Sequence, residues 1–134
     1  MIRKIEHLGI AVKSIEDALK TFEKLLGIDC YKVEEVVSEG VKTAFIQVGE
    51  SKIELLEATN PESPIAKYLE KKGPGIHHIA FDVENIEKEI ERLTKEGFTL
   101  IHASAKDGAD NKLIAFLHPK STESILIELC QEKS

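Results

Sequence analysis

An α+β fold of two tandem β-α-β-β-β modules is predicted by three observations. The chain repeats itself, each copy opens on residues alternating with period two, and each continues directly into a capped amphipathic stretch. From His7 it reads HLGIAVKSIEDALKTFEKLLG, and from His78 it reads HIAFDVENIEKEIERLTKEGF. With these histidines aligned, Val12 meets Val83, Ile15 meets Ile86, Glu16 meets Glu87 and Lys24 meets Lys95. Each copy ends on a similar phrase, Lys52-Ile53-Glu54-Leu55-Leu56 and Ile125-Leu126-Ile127-Glu128-Leu129. Two long copies indicate a duplicated module rather than a solenoid, which needs about three or more repeats. The 134 residues suit one domain, with module 1 at about 1–59, a linker at about 60–75 and module 2 at about 76–134.

The opening strands come first in each copy. In Glu6–Val12, Leu8, Ile10 and Val12 share one face while His7, Gly9 and Ala11 share the other. In the second copy Ile79, Phe81 and Val83 oppose His78, Ala80 and Asp82. A helix follows at once. Ser14 is placed to cap a stripe of Ile15, Ala18, Leu19, Phe22, Leu25 and Leu26 that stops at Gly27. Asn85 caps the narrower stripe Ile86, Ile90 and Leu93, which ends at Gly97. Three further strands are predicted per module: Cys30–Val37, Val41–Val48 and Lys52–Ala58, then Phe98–Ala103, Lys112–Leu117 and Ser124–Cys130. Glu39-Gly40, Gly49-Glu50, Asp107-Gly108 and His118-Pro119 supply the turns. In the linker, Ser63 and Pro64 start a helix that Gly73-Pro74-Gly75 breaks. This order excludes a doubly wound parallel sheet. One concave mixed sheet, with its apolar face against the helices, is the expected arrangement.

Composition narrows the function classes. With 18 Lys+Arg against 24 Asp+Glu, the net charge of −6 gives no basic footprint for nucleic acid. No apolar run approaches the ~18 residues of a membrane span, and the start Met-Ile-Arg-Lys-Ile-Glu has no signal-peptide core. Two cysteines, Cys30 and Cys130, make no disulfide framework, and a reducing cytoplasm is expected.

Alternation also locates the chemistry. If each strand turns its apolar side to the helices, His7, Glu54, His78 and Glu128 all fall on the opposite face, with Thr43, Phe45 and Gln47. A carboxylate on a strand otherwise of Ile and Leu is costly without a partner. A lone histidine or glutamate at such a place is ordinarily satisfied by its neighbours or by water. Matched pairs at both ends of two copies instead point to a shared divalent cation. The N2O2 set suits Co²⁺, Mn²⁺, Zn²⁺ or Ni²⁺. His77 points away and reads as structural or as a support behind the ligands, and His102 and His118 read as surface residues, with the pocket rim as the alternative place for His118.

These residues resemble the vicinal oxygen chelate superfamily, which includes glyoxalase I, extradiol dioxygenases and the methylmalonyl-CoA epimerases. The phrases HLGIAV (7–12), ESPIAKYL (62–69), GIHHIAF (75–81), FLHPK (116–120) and ILIEL (125–129) are most similar to the epimerase family. The resemblance implies His7, Glu54, His78 and Glu128 as ligands of a metal, Co²⁺ first and Mn²⁺, Zn²⁺ or Ni²⁺ as alternatives. Some members carry Gln at the place of Glu54, so this site is one charge more negative. At least one member has a catalytic glutamate at the place of Thr43, and threonine cannot accept a proton at neutral pH. The implied reaction is inversion at C2 of methylmalonyl-CoA through a metal-stabilised enolate, with Glu128 and Glu54 as the two acid/base groups. Thr43 and Gln47 are expected beside the substrate, and Lys112 and Lys120 near the phosphates of its CoA tail. A homodimer joined through outer sheet edges or helices is expected, with no membrane or nucleic-acid partner. The alternatives are a glyoxalase I-type lactoylglutathione lyase and a metal-free small-molecule binder of the same fold. Extradiol dioxygenases, which need an open 2-His-1-carboxylate iron site, are disfavoured by a fourth ligand at Glu54.

Overall fold

A computed structural model describes all residues, Met1–Ser134. Eight strands and three α-helices follow the order of the repeat: β1 Ile2–Ala11, α1 Ile15–Leu26, β2 Lys32–Val36, β3 Val41–Val48, β4 Ser51–Ala58, α2 Pro64–Lys72, β5 Gly75–Val83, α3 Ile86–Lys95, β6 Lys106–Asp107, β7 Lys112–Leu117 and β8 Ile127–Glu132. The class is α+β. No helix is long and apolar enough to cross a membrane. The chain forms two compact units, one of Met1–His7 with His78–Ser134 and the other of Leu8–His77.

In the Leu8–His77 unit the strand order is β2-β3-β4-β1. Strands β2, β3 and β4 pair antiparallel, with Lys32 opposite Phe45 and Phe45 opposite Glu54. Ser14 Oγ accepts from the Asp17 amide to start α1, and Gly27 ends it in the left-handed region. Helix α1 packs Ile15, Ala18, Leu19, Phe22 and Leu26 on Val12, Ala44, Ile46 and Leu55. Leu56, one residue on, faces the other way and meets Ala11 and Ile65 of α2, as alternation requires. Helix α2 starts as expected, Ser63 accepting from the Ala66 amide with Pro64 behind it.

Strand β2 is shorter than predicted at both ends. The Cys30 amide is taken by Glu23 Oε2, and Val37–Glu39 tightens into a 3-10 turn ending at Gly40. Gly40 has φ +63°, and a Cβ there would stand 2.7 Å from Asn60 Nδ2 and 2.8 Å from Ser63 Cβ, so only glycine fits.

In the other unit the order is β1-β5-β8-β7-β6. Strand β5 pairs parallel with β8, and β8 antiparallel with β7, so the sheet is mixed. Helix α3, capped by Asn85, packs Ile86, Ile90 and Leu93 on Val83, Ala115, Leu117 and Leu129.

Two predicted strands here need correction. Phe98–Ala103 is not a strand: only Leu100 bridges to Leu117. The amides of Phe98 and Thr99 go instead to Leu93 O and Ser121 Oγ. Pairing resumes at the two-residue β6, opposite Leu113 and Ile114. The last strand begins at Ile127, not Ser124, because Glu123 and Ser124 adopt left-handed φ of 56° and 68°, which extended chain cannot contain.

A feature absent from the sequence reading repeats in both units. The first amide of α1, at Ile15, donates to Glu57 Oε1, and the first amide of α3, at Ile86, donates to Gln131 Oε1. Glu57 lies three residues past Glu54 and Gln131 three past Glu128. The last strand of each copy thus caps its own helix.

Candidate metal centre

Strands β1, β5 and β8 bring His7, His78 and Glu128 together in the unit that holds all three. Each is buried. His7 Nε2 lies 3.0 Å from His78 Nε2. Glu128 Oε1 is 3.0 Å from His78 Nε2 and 3.5 Å from His7 Nε2. The rings meet edge to face, and Phe116 packs edge-on against the outer side of His78. Pairing explains the convergence: Glu128 stands opposite Phe116 on β7 and opposite Ala80 on β5, two residues from His78 and on its face.

Burial disfavours an ionised Glu128, but the charge on His7 and hydrogen bonds from His7 and His78 outweigh it, holding the carboxyl well below the usual range. The donors form a buried group of metal-ligating type, and their spacings suit one ion, since donors about 2.0–2.2 Å from a cation stand about 3.0–3.5 Å apart around it. Two imidazoles and a carboxylate are donors for a first-row divalent metal.

His7 is held from behind by Glu6, which the sequence reading passed over. An ionised carboxylate can only accept, so His7 Nδ1–H donates to Glu6 Oε1 at 2.6 Å. That leaves Nε2 facing His78 and Glu128. Strict alternation would point Glu6 away from His7, which hid it; the one signal was an acidic residue next to a candidate ligand. Cys130 Sγ also lies within ligand reach of Glu6 and His7. Burial first, then the Glu128 and Glu6 carboxylates, push its thiol far up, so it stays protonated.

Glu54 belongs to the Leu8–His77 unit. It is buried on β4, with Lys52 Nζ 3.8 Å from its Oε2. Lys52 is itself buried, 5.6 Å from the centre of the Phe45 ring. A lysine two residues before a glutamate shares its strand face, so this partner was legible in the sequence. Thr43 is buried on β3, opposite Leu56. Gln47 is exposed, its amide nitrogen donating to Gly49 O and Ser51 O, where it braces the β3–β4 turn.

Lys112 lies on β7 with Nζ 3.9 Å from Glu6 Oε2 and its side chain only 11% exposed. Lys120 is exposed on the short turn Pro119–Ser121, which His118 caps by accepting from the Lys120 amide. His77 stands edge-on to Tyr68, a structural place as expected, and His102 is exposed.

The family model described as the glyoxalase/bleomycin resistance protein/dioxygenase superfamily matches residues 6–116. The chain is 39% identical to YqjC of Bacillus subtilis, over 98% of this chain and 94% of that protein. It is 38% identical to the ethylmalonyl-CoA/methylmalonyl-CoA epimerase of Cereibacter sphaeroides, over 98% of this chain and 99% of that one. Among solved structures, a variant of Streptomyces coelicolor methylmalonyl-CoA epimerase in complex with 2-nitronate-propionyl-CoA matches with a TM-score of 0.95 at 27% identity, covering 100% of this chain and 97% of that chain. By sequence and by fold, the chain belongs to the glyoxalase/bleomycin resistance protein/dioxygenase superfamily and, within it, to the methylmalonyl-CoA epimerase family.

Proposed function

We propose that this protein is an isomerase that interconverts the C2 stereoisomers of methylmalonyl-CoA by removing and returning the C2 proton. The observation that carries the reading is the buried His7–His78–Glu128 cluster, with donor spacings of 3.0–3.5 Å, in a chain similar along its whole length to an acyl-CoA epimerase.

His7 Nε2, His78 Nε2 and Glu128 Oε1 hold a divalent metal, for which Co²⁺ is the first choice. Glu54 is its fourth ligand; that assignment rests on the repeat, which sets Glu54 and Glu128 at equivalent places. When bound, the metal supplies Lewis-acid stabilisation of the negative charge that develops on the substrate's oxygens. Glu128 takes the proton from one side of C2. Inversion needs a second acid/base group on the other side. A threonine hydroxyl at position 43 cannot be that group, and Glu54 takes the role: its protonated carboxyl gives a proton to the opposite side of C2 as Glu128 takes one, and the two exchange roles in the reverse direction. The exposed Lys120 meets the phosphates of the CoA tail, which carry the opposite charge.

The test is to incubate the metal-loaded protein with methylmalonyl-CoA in D2O and follow C2 by NMR. Deuterium entry at C2 at a catalysed rate is the expected result. No uptake, with turnover of the methylglyoxal–glutathione adduct instead, would reassign the protein to the lactoylglutathione lyases.

A further inference from the structure

Lys112 has the composition of a phosphate contact but not the place of one. Its ammonium is directed into the sheet, 3.9 Å from Glu6 Oε2, while the other oxygen of the same carboxylate accepts from His7 Nδ1 at 2.6 Å. Glu6, His7 and Lys112 thus form a line leading to the His7 Nε2 that faces His78 and Glu128. Glu6 is 5% exposed and cannot rely on water to fix its orientation. The neighbouring Cys130 directs its thiol to Phe81 O, while the Lys112 ammonium and the His7 Nδ1–H stand at the two oxygens of the carboxylate.

We propose that Lys112 is a positioning residue for His7, acting through Glu6: the ammonium anchors one carboxylate oxygen so that the other holds the imidazole with Nε2 turned to the metal. Removing the lysine frees Glu6 to rotate and loosens the ring. Residues that orient a ligating histidine are worth about 10–100-fold in metal affinity. The inference rests on the reading of His7 as a ligand.

Co²⁺ titrations of the wild type, Glu6→Gln, Lys112→Met, Lys112→Arg and the Glu6→Gln/Lys112→Met double variant test it. Alongside them, ¹⁵N NMR of the metal-free proteins reads which His7 nitrogen carries the proton. Glu6→Gln is expected to weaken Co²⁺ binding about 10–100-fold and Lys112→Met about tenfold. The double variant is expected to be no weaker than Glu6→Gln alone, and Lys112→Arg to bind nearly as the wild type. Wild-type Co²⁺ affinity in Lys112→Met, or losses that simply multiply in the double variant, would overturn the proposal. So would a raised KM for the acyl-CoA substrate at unchanged Co²⁺ affinity, which marks Lys112 as a phosphate contact after all. If Lys112→Met fails to fold, Lys112→Gln takes its place. If the wild type binds no Co²⁺, the metal reading fails, and the ¹⁵N spectra decide alone: the His7 Nδ1–H must give a strongly hydrogen-bonded signal in the wild type and lose it without Lys112, and an unchanged spectrum rejects the relay.

Discussion

Glu54 and Glu128 stand at equivalent places in the two copies, yet their surroundings differ in kind. Around both, the backbone solves the same problem in the same way: a capped helix packs on the strands, and a side chain three residues past the glutamate accepts the first helical amide. Beside Glu128 stand two imidazoles, at 3.0 and 3.5 Å; beside Glu54 stands an ammonium at 3.8 Å. An imidazole has a lone pair to give a cation, and a protonated lysine has none. Duplication therefore preserved what the fold requires, caps and register, while the charged groups on the sheet face diverged. The Glu128 side gathers imidazole donors around its carboxyl group, and the Glu54 side sets a buried lysine beside its own.

Breaking the Glu128 side should cost most. Glu128→Gln removes the charge from between the imidazoles, and deuterium exchange at C2 should slow by about 10³-fold or more. Glu54→Gln should keep its metal and slow exchange by about 10²-fold; a fully active variant would leave Glu54 no acid/base role. The two cores should respond alike where the two carboxylates do not. Leu55→Ala and Leu129→Ala each empty a fully buried site and should each cost about 2–5 kcal/mol in urea unfolding. Strongly unequal losses would mean that the scaffolds are less equivalent than the repeat implies. Gly40→Ala, with its left-handed φ and its clash with Asn60 and Ser63, should cost about 1–3 kcal/mol.

The smallest expected effect is a pH-dependent one confined to α3. A hydrogen bond from the Met1 ammonium, assisted by Arg92 and opposed by burial, holds Glu89 below its ordinary value. A lowered carboxyl stabilises the fold above its unfolded value of about 4.3 and stops doing so as pH falls through the folded value. Glu89→Gln should therefore lower Tm by a few degrees at pH 7, with the gap to the wild type closing below about pH 4.

The repeat and local periodicity made the element order, the caps at Ser14, Ser63 and Asn85, and the strand positions of His7, Glu54, His78 and Glu128 legible in the sequence. Strand ends were less legible. The fraying of Phe98–Ala103 depends on where Leu93 and Ser121 place their acceptors, and the late start of β8 on two left-handed residues, Glu123 and Ser124, neither a glycine. The Glu6–Lys112 partnership escaped notice for a further reason: it joins residues 106 apart in sequence.

Cobalt binding tests the central claim most directly. The wild type should take up one equivalent of Co²⁺, with the ring protons of both His7 and His78 shifted by the paramagnetic ion, and His78→Ala should lose most of that affinity. A His78→Ala variant that binds Co²⁺ as tightly as the wild type, or a shift that leaves both rings untouched, would contradict it.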